Sequence, residues 1–239
     1  MITEFFEVAS RFCGPPRSGN GGYVGGRLAK HIDGVASARL KAPPPLQQEM
    51  RLESLSDHAR LFHQDQLIGE AKASTLELEV PACPLYDETL ESTQQYLGFK
   101  KHPFPGCFVC GPDREHKDGL RIFPGALKDG ATIAAPWTSD ASLADENGYV
   151  RDEFLWSALD CTGAFAFPAI SEGMTIVLGE LTVSIENKLD IEEPCIVIGW
   201  PLGSEGRKHF AGSAIYTQAG ILVAKARAVW IEVPASTWA

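Results

Sequence analysis

The sequence predicts an α+β protein in which one helix followed by an antiparallel sheet occurs twice, and three observations carry that reading. Strand patterns dominate: Ala36, Ala38, Leu40 and Ala42 alternate with Ser37, Arg39 and Lys41, and Leu67, Gly69, Ala71 and Ala73 alternate with Ile68, Glu70, Lys72 and Ser74. Leu181, Val183 and Ile185 alternate likewise with Thr182, Ser184 and Glu186, the period of half-buried antiparallel strands. Two helix candidates, 22–32 and 152–167, each precede a group of strands. Finally, the halves resemble each other: "ARLKAPPPL" lies over "LTVSIENKL" at a shift of 143 residues, and "ARLFHQDQLIGEAKA" over "AIYTQAGILVAKARA" at 155.

The first helix opens on "SGNGGYVGG", five glycines in nine positions. Glycine inside a helix costs about 1 kcal/mol against alanine, so the stretch marks a loop or a close approach to the backbone. It is no dinucleotide fingerprint, because Gly19-Asn20-Gly21-Gly22-Tyr23-Val24 ends on valine, and without a following Gly-Lys-Ser/Thr it is no phosphate loop. What remains is a glycine-rich turn opening a helix with Val24, Leu28 and Ile32 on one stripe. Its first N–H groups are free to meet a carbonyl oxygen, an anion or a packed neighbour. "YTQAGILV" reads as a hairpin turn, and "GWPLGSEGRKHFAG" as a longer hairpin that accounts for the difference between the two shifts. The segment 79–118, with little periodicity, is expected to connect the units, which places domains at 1–98 and 99–239.

A chain of 239 residues, 44% hydrophobic, buries a sizeable core. A formal net charge of −10, spread along the chain, argues against nucleic acid or an anionic membrane as partner. No apolar run approaches the ~18 residues of a membrane span, and "MITEFFEVAS" lacks the features of a signal peptide. Six irregularly spaced cysteines suit reduced thiols in a cytoplasmic protein.

The stretch "DEFLWSALDCTGAFAF" (152–167) is the most informative. Asp152 and Glu153 suit a helix start and Pro168 a stop. Between Phe154 and Phe167 the only charged residue is Asp160, on a helix apolar on nearly every face. Such a carboxylate must be paired, hydrogen-bonded or open to a cavity.

An apolar helix wrapped by an antiparallel sheet, twice, resembles two tandem hotdog units. Asn20-Gly21-Gly22 resembles the His-Gly-Gly that opens the central helix of phenylacetate-pathway-type acyl-CoA thioesterases. Leu159-Asp160-Cys161-Thr162-Gly163-Ala164-Phe165-Ala166 is similar to the segment bearing their catalytic Asp, and "CFVCGPDREHKDGLRIFPG" (107–125) to a lead-in common in that superfamily. In the family the His-Gly-Gly lies nine residues before the Asp on one helix. Here Ala29 stands nine after Asn20 and Arg151 nine before Asp160, so each half keeps one part. In single-hotdog dimers of this family the site forms between subunits, so the resemblance implies one composite site between the halves of this chain. It implies an acyl thioester substrate, on coenzyme A or acyl carrier protein, and no cofactor. The N–H of Gly21 or Gly22 would polarise the thioester carbonyl. Asp160 would act as general base or nucleophile, Asn20 would orient the carbonyl or the water, and Thr162 would hold the Asp or the water. Tyr23, Trp156, Arg207 and Lys208 are the expected substrate-binding residues, and a homodimer is possible. Non-catalytic acyl binding and hotdog hydratase or dehydratase chemistry are the alternatives.

Other constellations are thinner. Cys107-Phe108-Val109-Cys110 is one C-x2-C, with His102 and His116 as the near recruits for zinc, and a cysteine-bearing loop is the preferred reading, so no metal is expected. Cys161 has no partner histidine nearby in sequence, and no G-x-S-x-G occurs.

Overall fold

The computed structural model describes residues 1–167 and 169–238; Pro168, expected to stop the second helix, lies outside them. The first half contains β1 (Ile2–Phe6), α1 (Gly21–Ala29), β2 (Ala36–Leu40), β3 (Met50–Ser54), β4 (His58–His63) and β5 (Gln66–Ala73). A connecting stretch holds α2 (Tyr86–Thr93) and the short β6 (Gly125–Ala126). The second half contains β7 (Ile133–Thr138), α3 (Asp152–Ala164), β8 (Met174–Ile185), β9 (Pro194–Glu205), β10 (Lys208–Thr217) and β11 (Leu222–Pro234).

All eleven strands form one sheet, in the order β1-β3-β4-β5-β2-β8-β11-β10-β9-β7-β6, and every named pairing in it is antiparallel. Outward from the β2–β8 seam, both halves run through their second, fifth, fourth, third and first strands. At the seam Ala38 pairs with Leu181, the two residues that the shift of 143 superimposes. The same ladder irregularity recurs in both hairpins, between Leu61 and Phe62 in β4 and between Ile215 and Tyr216 in β10. Gly69 faces Leu61 and Ala224 faces Ile215, so the shift of 155 is right for the second strand of the hairpin and one residue too long for the first. Thr182 Oγ1 donates to Ser37 Oγ at 2.9 Å across the seam.

Both helices end earlier than their patterns predict, α1 at Ala29 rather than 32 and α3 at Ala164 rather than 167. The apolar residues continuing each stripe, Ile32 and Ala166, are still buried, but in turns beyond the helix ends. The connection is more ordered than expected. α2 and the extended chain before it cover the far face of the second half's strands, where Leu78, Val80 and Tyr86 pack on Ile196, Ile198, Trp200 and Tyr216. Tyr216 Oη donates to Pro81 O at 2.8 Å, and Ser92 Oγ to Ala134 O at 2.9 Å. A boundary at residue 98 leaves this covering segment with the first unit, although it packs on strands of the second. The expected long hairpin is β9 and β10 joined by a tight turn at Gly206 and Arg207.

The two helices lie against one another inside the main core. Their contact explains the glycines. A Cβ on Gly22 would lie 2.5 Å from Trp156 O and 2.6 Å from Asp160 Cβ, and one on Gly26 would lie 2.5 Å from Glu153 Cα. Gly25 takes the Trp156 ring at 3.1 Å. Glycines four apart make a backbone-deep groove along α1, and α3 fills it.

Substituting Gly26 with Leu is expected to force the helices apart and destabilise the fold by about 3 kcal/mol. Gly106→Ala, where an added Cβ meets nothing within 4 Å, should stay within about 0.5 kcal/mol of wild type. Urea unfolding of the two variants checks both values, and equal midpoints would refute the packing account.

Candidate active site

Asn20 starts α1. Its Oδ1 accepts the Tyr23 N–H at 2.9 Å, a side-chain cap, and its carbonyl accepts the Val24 N–H at 3.1 Å. The Nδ2 of the same side chain turns to α3 and donates to Asp160 Oδ2 at 2.9 Å. The Gly22 N–H donates to that oxygen at 2.8 Å. Asp160, only 2% exposed, is thus held by two donors from the opposite half of the chain. Its Oδ1 is buried and has no hydrogen-bond partner among the described residues. Burial pushes the carboxyl up to about 7, although the Gly22 and Asn20 hydrogen bonds pull the other way. A carboxyl so placed exchanges its proton near neutral pH.

Asp160 lines a cavity of about 910 Å³ that Asn20 and Gly21 also line. The walls are largely apolar, among them Leu40, Phe104, Phe165, Phe167, Ile176 and Leu178. Lys41 and Lys101 also line it; Lys41 pairs with Glu70 at 2.7 Å, whereas Lys101 is exposed and has no acid partner among the described residues. Among the described residues seven buried side-chain polar atoms lack a partner, and four of them, His102 Nε2, Asp160 Oδ1, Trp230 Nε1 and Trp238 Nε1, belong to residues of this cavity wall. Buried polar atoms are normally satisfied, so their concentration here marks a place built for a polar ligand or for water. The Gly21 N–H, at the first position of α1, makes no hydrogen bond within the described residues.

The structure brings Asn20, Gly21, Gly22 and Asp160 together as expected, with altered detail. Gly22 stands against α3 and gives its N–H to Asp160, so it serves the helix contact rather than an open approach for a ligand, whereas Gly21 faces Leu178 and the cavity. Both ends of the Asn20 amide are engaged, one on the cap and one on the carboxylate. Thr162 is fully buried and donates from Oγ1 to Ala158 O at 3.1 Å, one turn back, so its hydroxyl proton goes to its own helix rather than to Asp160. Tyr23 stacks on Phe12 at 4.4 Å in the core, and Trp156 is spent on Gly25; neither lines the cavity. Arg207 and Lys208 lie at the β9–β10 turn, also away from the cavity wall. Their neighbour His209 is buried against Glu232 at 2.9 Å rather than part of a basic surface. Glu153, one of the acids at the start of α3, pairs with Arg151 at 3.6 Å.

Sequence reasoning missed the apolar wall. Ile176, Val177, Leu178 and Gly179 all line the cavity, from both faces of β8. The alternation at 181–186 gives way there to the consecutive apolar run Ile176-Val177-Leu178, a signal that both faces of the strand are covered. The pseudo-equivalent place in the other half has no counterpart of the carboxylate. Ala29 stands where Asp160 would, and Glu153 lies where Gly22 would, against Gly26.

No protein-family model matches the chain, and no curated protein matches it in sequence. Solved structures do match it over nearly its whole length. The tesB protein of Mycobacterium avium subs paratuberculosis aligns at a TM-score of 0.63 with 10% identity, covering 97% of this chain and 93% of that one. A putative thioesterase II from Thermobifida fusca YX aligns at 0.60 with 13% identity, covering 97% and 92%. A conserved protein of unknown function with hot dog fold from Alicyclobacillus acidocaldarius aligns at 0.58 with 11% identity, covering 97% and 93%. This is a hotdog fold. Among the described residues of this hotdog protein, no helix is long and apolar enough to cross a membrane.

The hydrogen bond from Asn20 makes one further outcome checkable. Asn20→Ala removes both the α1 cap and one donor to Asp160, and should cost about 1–2 kcal/mol in unfolding free energy. Asn20→Asp keeps an N-cap but sets a second carboxylate beside Asp160, and should leave the protein less stable at pH 8 than at pH 5. Both follow from denaturation curves at the two pH values.

Proposed function

We propose that the chain is a double hotdog acting as an acyl thioester hydrolase, with one composite site between its halves. The observation that carries this reading is Asp160: a buried carboxyl with one oxygen held by Asn20 and Gly22 and the other unpartnered, on the wall of a large apolar cavity. The cavity takes the acyl chain along Ile176, Leu178, Phe165 and Phe167. The thioester carbonyl oxygen accepts the free N–H of Gly21 at the start of α1, where the helix dipole favours developing negative charge. Asp160 Oδ1 takes a proton from a water as that water attacks the carbonyl carbon. The C–S bond then breaks, and the carboxyl returns the proton to the departing thiolate. Asn20 positions the carboxylate and does not touch the substrate. Lys101, at the exposed edge of the same cavity, suits the phosphates of coenzyme A or the phosphopantetheine of an acyl carrier protein. Two solved structures of similar fold, described as a putative thioesterase II and an acyl-CoA thioesterase II, support the hydrolase part of this reading.

Asp160→Asn keeps the volume and the two donors' partner but removes the base. It is expected to fold and to lose about 100-fold or more in thiol release, measured on a panel of acyl-CoAs and acyl carrier proteins. Full turnover by the variant would refute the role. A wild type that binds acyl-CoA but releases no thiol from any member would replace hydrolysis with acyl binding.

Because Ala29 and Glu153 occupy the counterpart place, a non-hydrolysable acyl-CoA analogue should saturate at one molecule per chain. Calorimetric titration reads that number directly. Two equivalent sites would refute the composite arrangement.

A further inference from the structure

The C-x2-C pair does not stay alone in the folded chain. Cys161, next to Asp160 on α3, brings its sulfur to 3.6 Å from Cys107 Sγ, and the sulfurs of Cys107, Cys110 and Cys161 all lie within 4.8 Å of one another. All three residues are buried and all three line the cavity. We propose that Cys107, Cys110 and Cys161 form a three-thiolate site for one zinc ion, with its fourth position on the cavity side near Asp160. The proposal stands independently of the hydrolase reading.

Three features carry it. The first is spacing: tetrahedral zinc with bonds of about 2.3 Å sets its sulfur ligands about 3.8 Å apart, close to what the fold already presents. The second is the rigidity of the loop that presents two of the ligands. Gly111 N–H donates to Cys107 O at 2.9 Å, closing the turn, and a Cβ at Gly111 would lie 2.5 Å from that same oxygen. Phe108 N–H donates to Cys13 O, Ile122 N–H to Val109 O and Tyr96 Oη to Cys110 O, each at 2.8–2.9 Å. The third is the unpartnered Asp160 Oδ1, a buried oxygen of the residue adjoining Cys161 that has no donor within the described residues. A water held at the metal's fourth position would satisfy that oxygen.

The histidines expected as recruits are not needed. His116 is exposed. His102 Nδ1 accepts the Phe104 N–H at 2.9 Å, so the neutral ring carries its proton on Nε2 and offers no lone pair there. Binding converts three thiols to three thiolates and releases three protons per zinc, with no change of oxidation state.

The full chain, expressed with zinc in the medium and purified without chelator, is expected to carry one zinc per chain by elemental mass spectrometry. After chelation, added Co2+ should give thiolate-to-cobalt charge transfer in the ultraviolet and the intense visible bands of a tetrahedral site. Cys107→Ser, Cys110→Ser and Cys161→Ser should each weaken binding by about tenfold or more, whereas Cys195→Ser, buried elsewhere in the core, should keep it. Circular dichroism shows whether each variant folds, and the wild-type stoichiometry and cobalt spectrum decide the matter even if one does not. Wild type with neither zinc nor a thiolate–cobalt spectrum would overturn the proposal. So would undiminished binding by the folded serine variants, or a disulfide among the three cysteines in freshly purified protein.

Discussion

The close contact of α1 and α3 is the constraint on which the rest depends. With a side chain at Gly22 or Gly26 the helices would stand farther apart, and the Gly22 N–H and Asn20 amide would no longer reach Asp160. One packing event therefore does two things. It buries α3, and it supplies hydrogen bonds to the one carboxylate in that helix's interior. Without those donors a buried carboxylate would cost several kcal/mol; with them, one oxygen is satisfied and the other remains unpartnered.

The β2–β8 seam gives this contact its frame. Because the two halves meet strand to strand in one continuous antiparallel sheet, the helices they wrap lie side by side in a shared core. A pseudo-twofold relation would place two similar constellations at the two ends of the helix pair. The side chains break that equivalence: the glycine groove and Asn20 lie on one helix, and the carboxylate on the other. Glu153 at the opposite end reaches an ion pair with Arg151 instead of a cavity.

The cysteine loop shows how a weak local signal gains meaning in three dimensions. A single C-x2-C has the spacing of a metal half-site and nothing more. Its third sulfur comes from α3, 51 positions beyond Cys110, and only the docking of the loop beneath the helix joins them. That loop is fixed by backbone hydrogen bonds to the chain before α1 and by Tyr96 from the connection, so three separate segments set one cluster.

Periodicity by itself determined the α+β class, α1, α3 and the strands β2, β5 and β8, because alternation and helical stripes are local records of which face is buried, while turn signals and the repeat added the hairpins of the second half. The pairing of Asn20-Gly21-Gly22 with Asp160 was legible through the resemblance to hotdog thioesterases; the residues alone said only that a lone carboxylate in an apolar helix needs a partner. Their roles were not. Whether a glycine admits a ligand or a helix depends on what stands 2.5 Å away, and for Gly22 that is Trp156 O. Tyr23, Trp156 and Thr162 look like site residues in a linear motif, yet helix geometry turns them into the core or back onto their own backbone. Arg207 and Lys208 form a basic cluster in sequence, but the sheet carries them away from the cavity. The cavity wall, the covering role of residues 78–93 and the meeting of Cys161 with Cys107 were decided by tertiary structure alone, because each joins segments whose separation along the chain leaves no local trace.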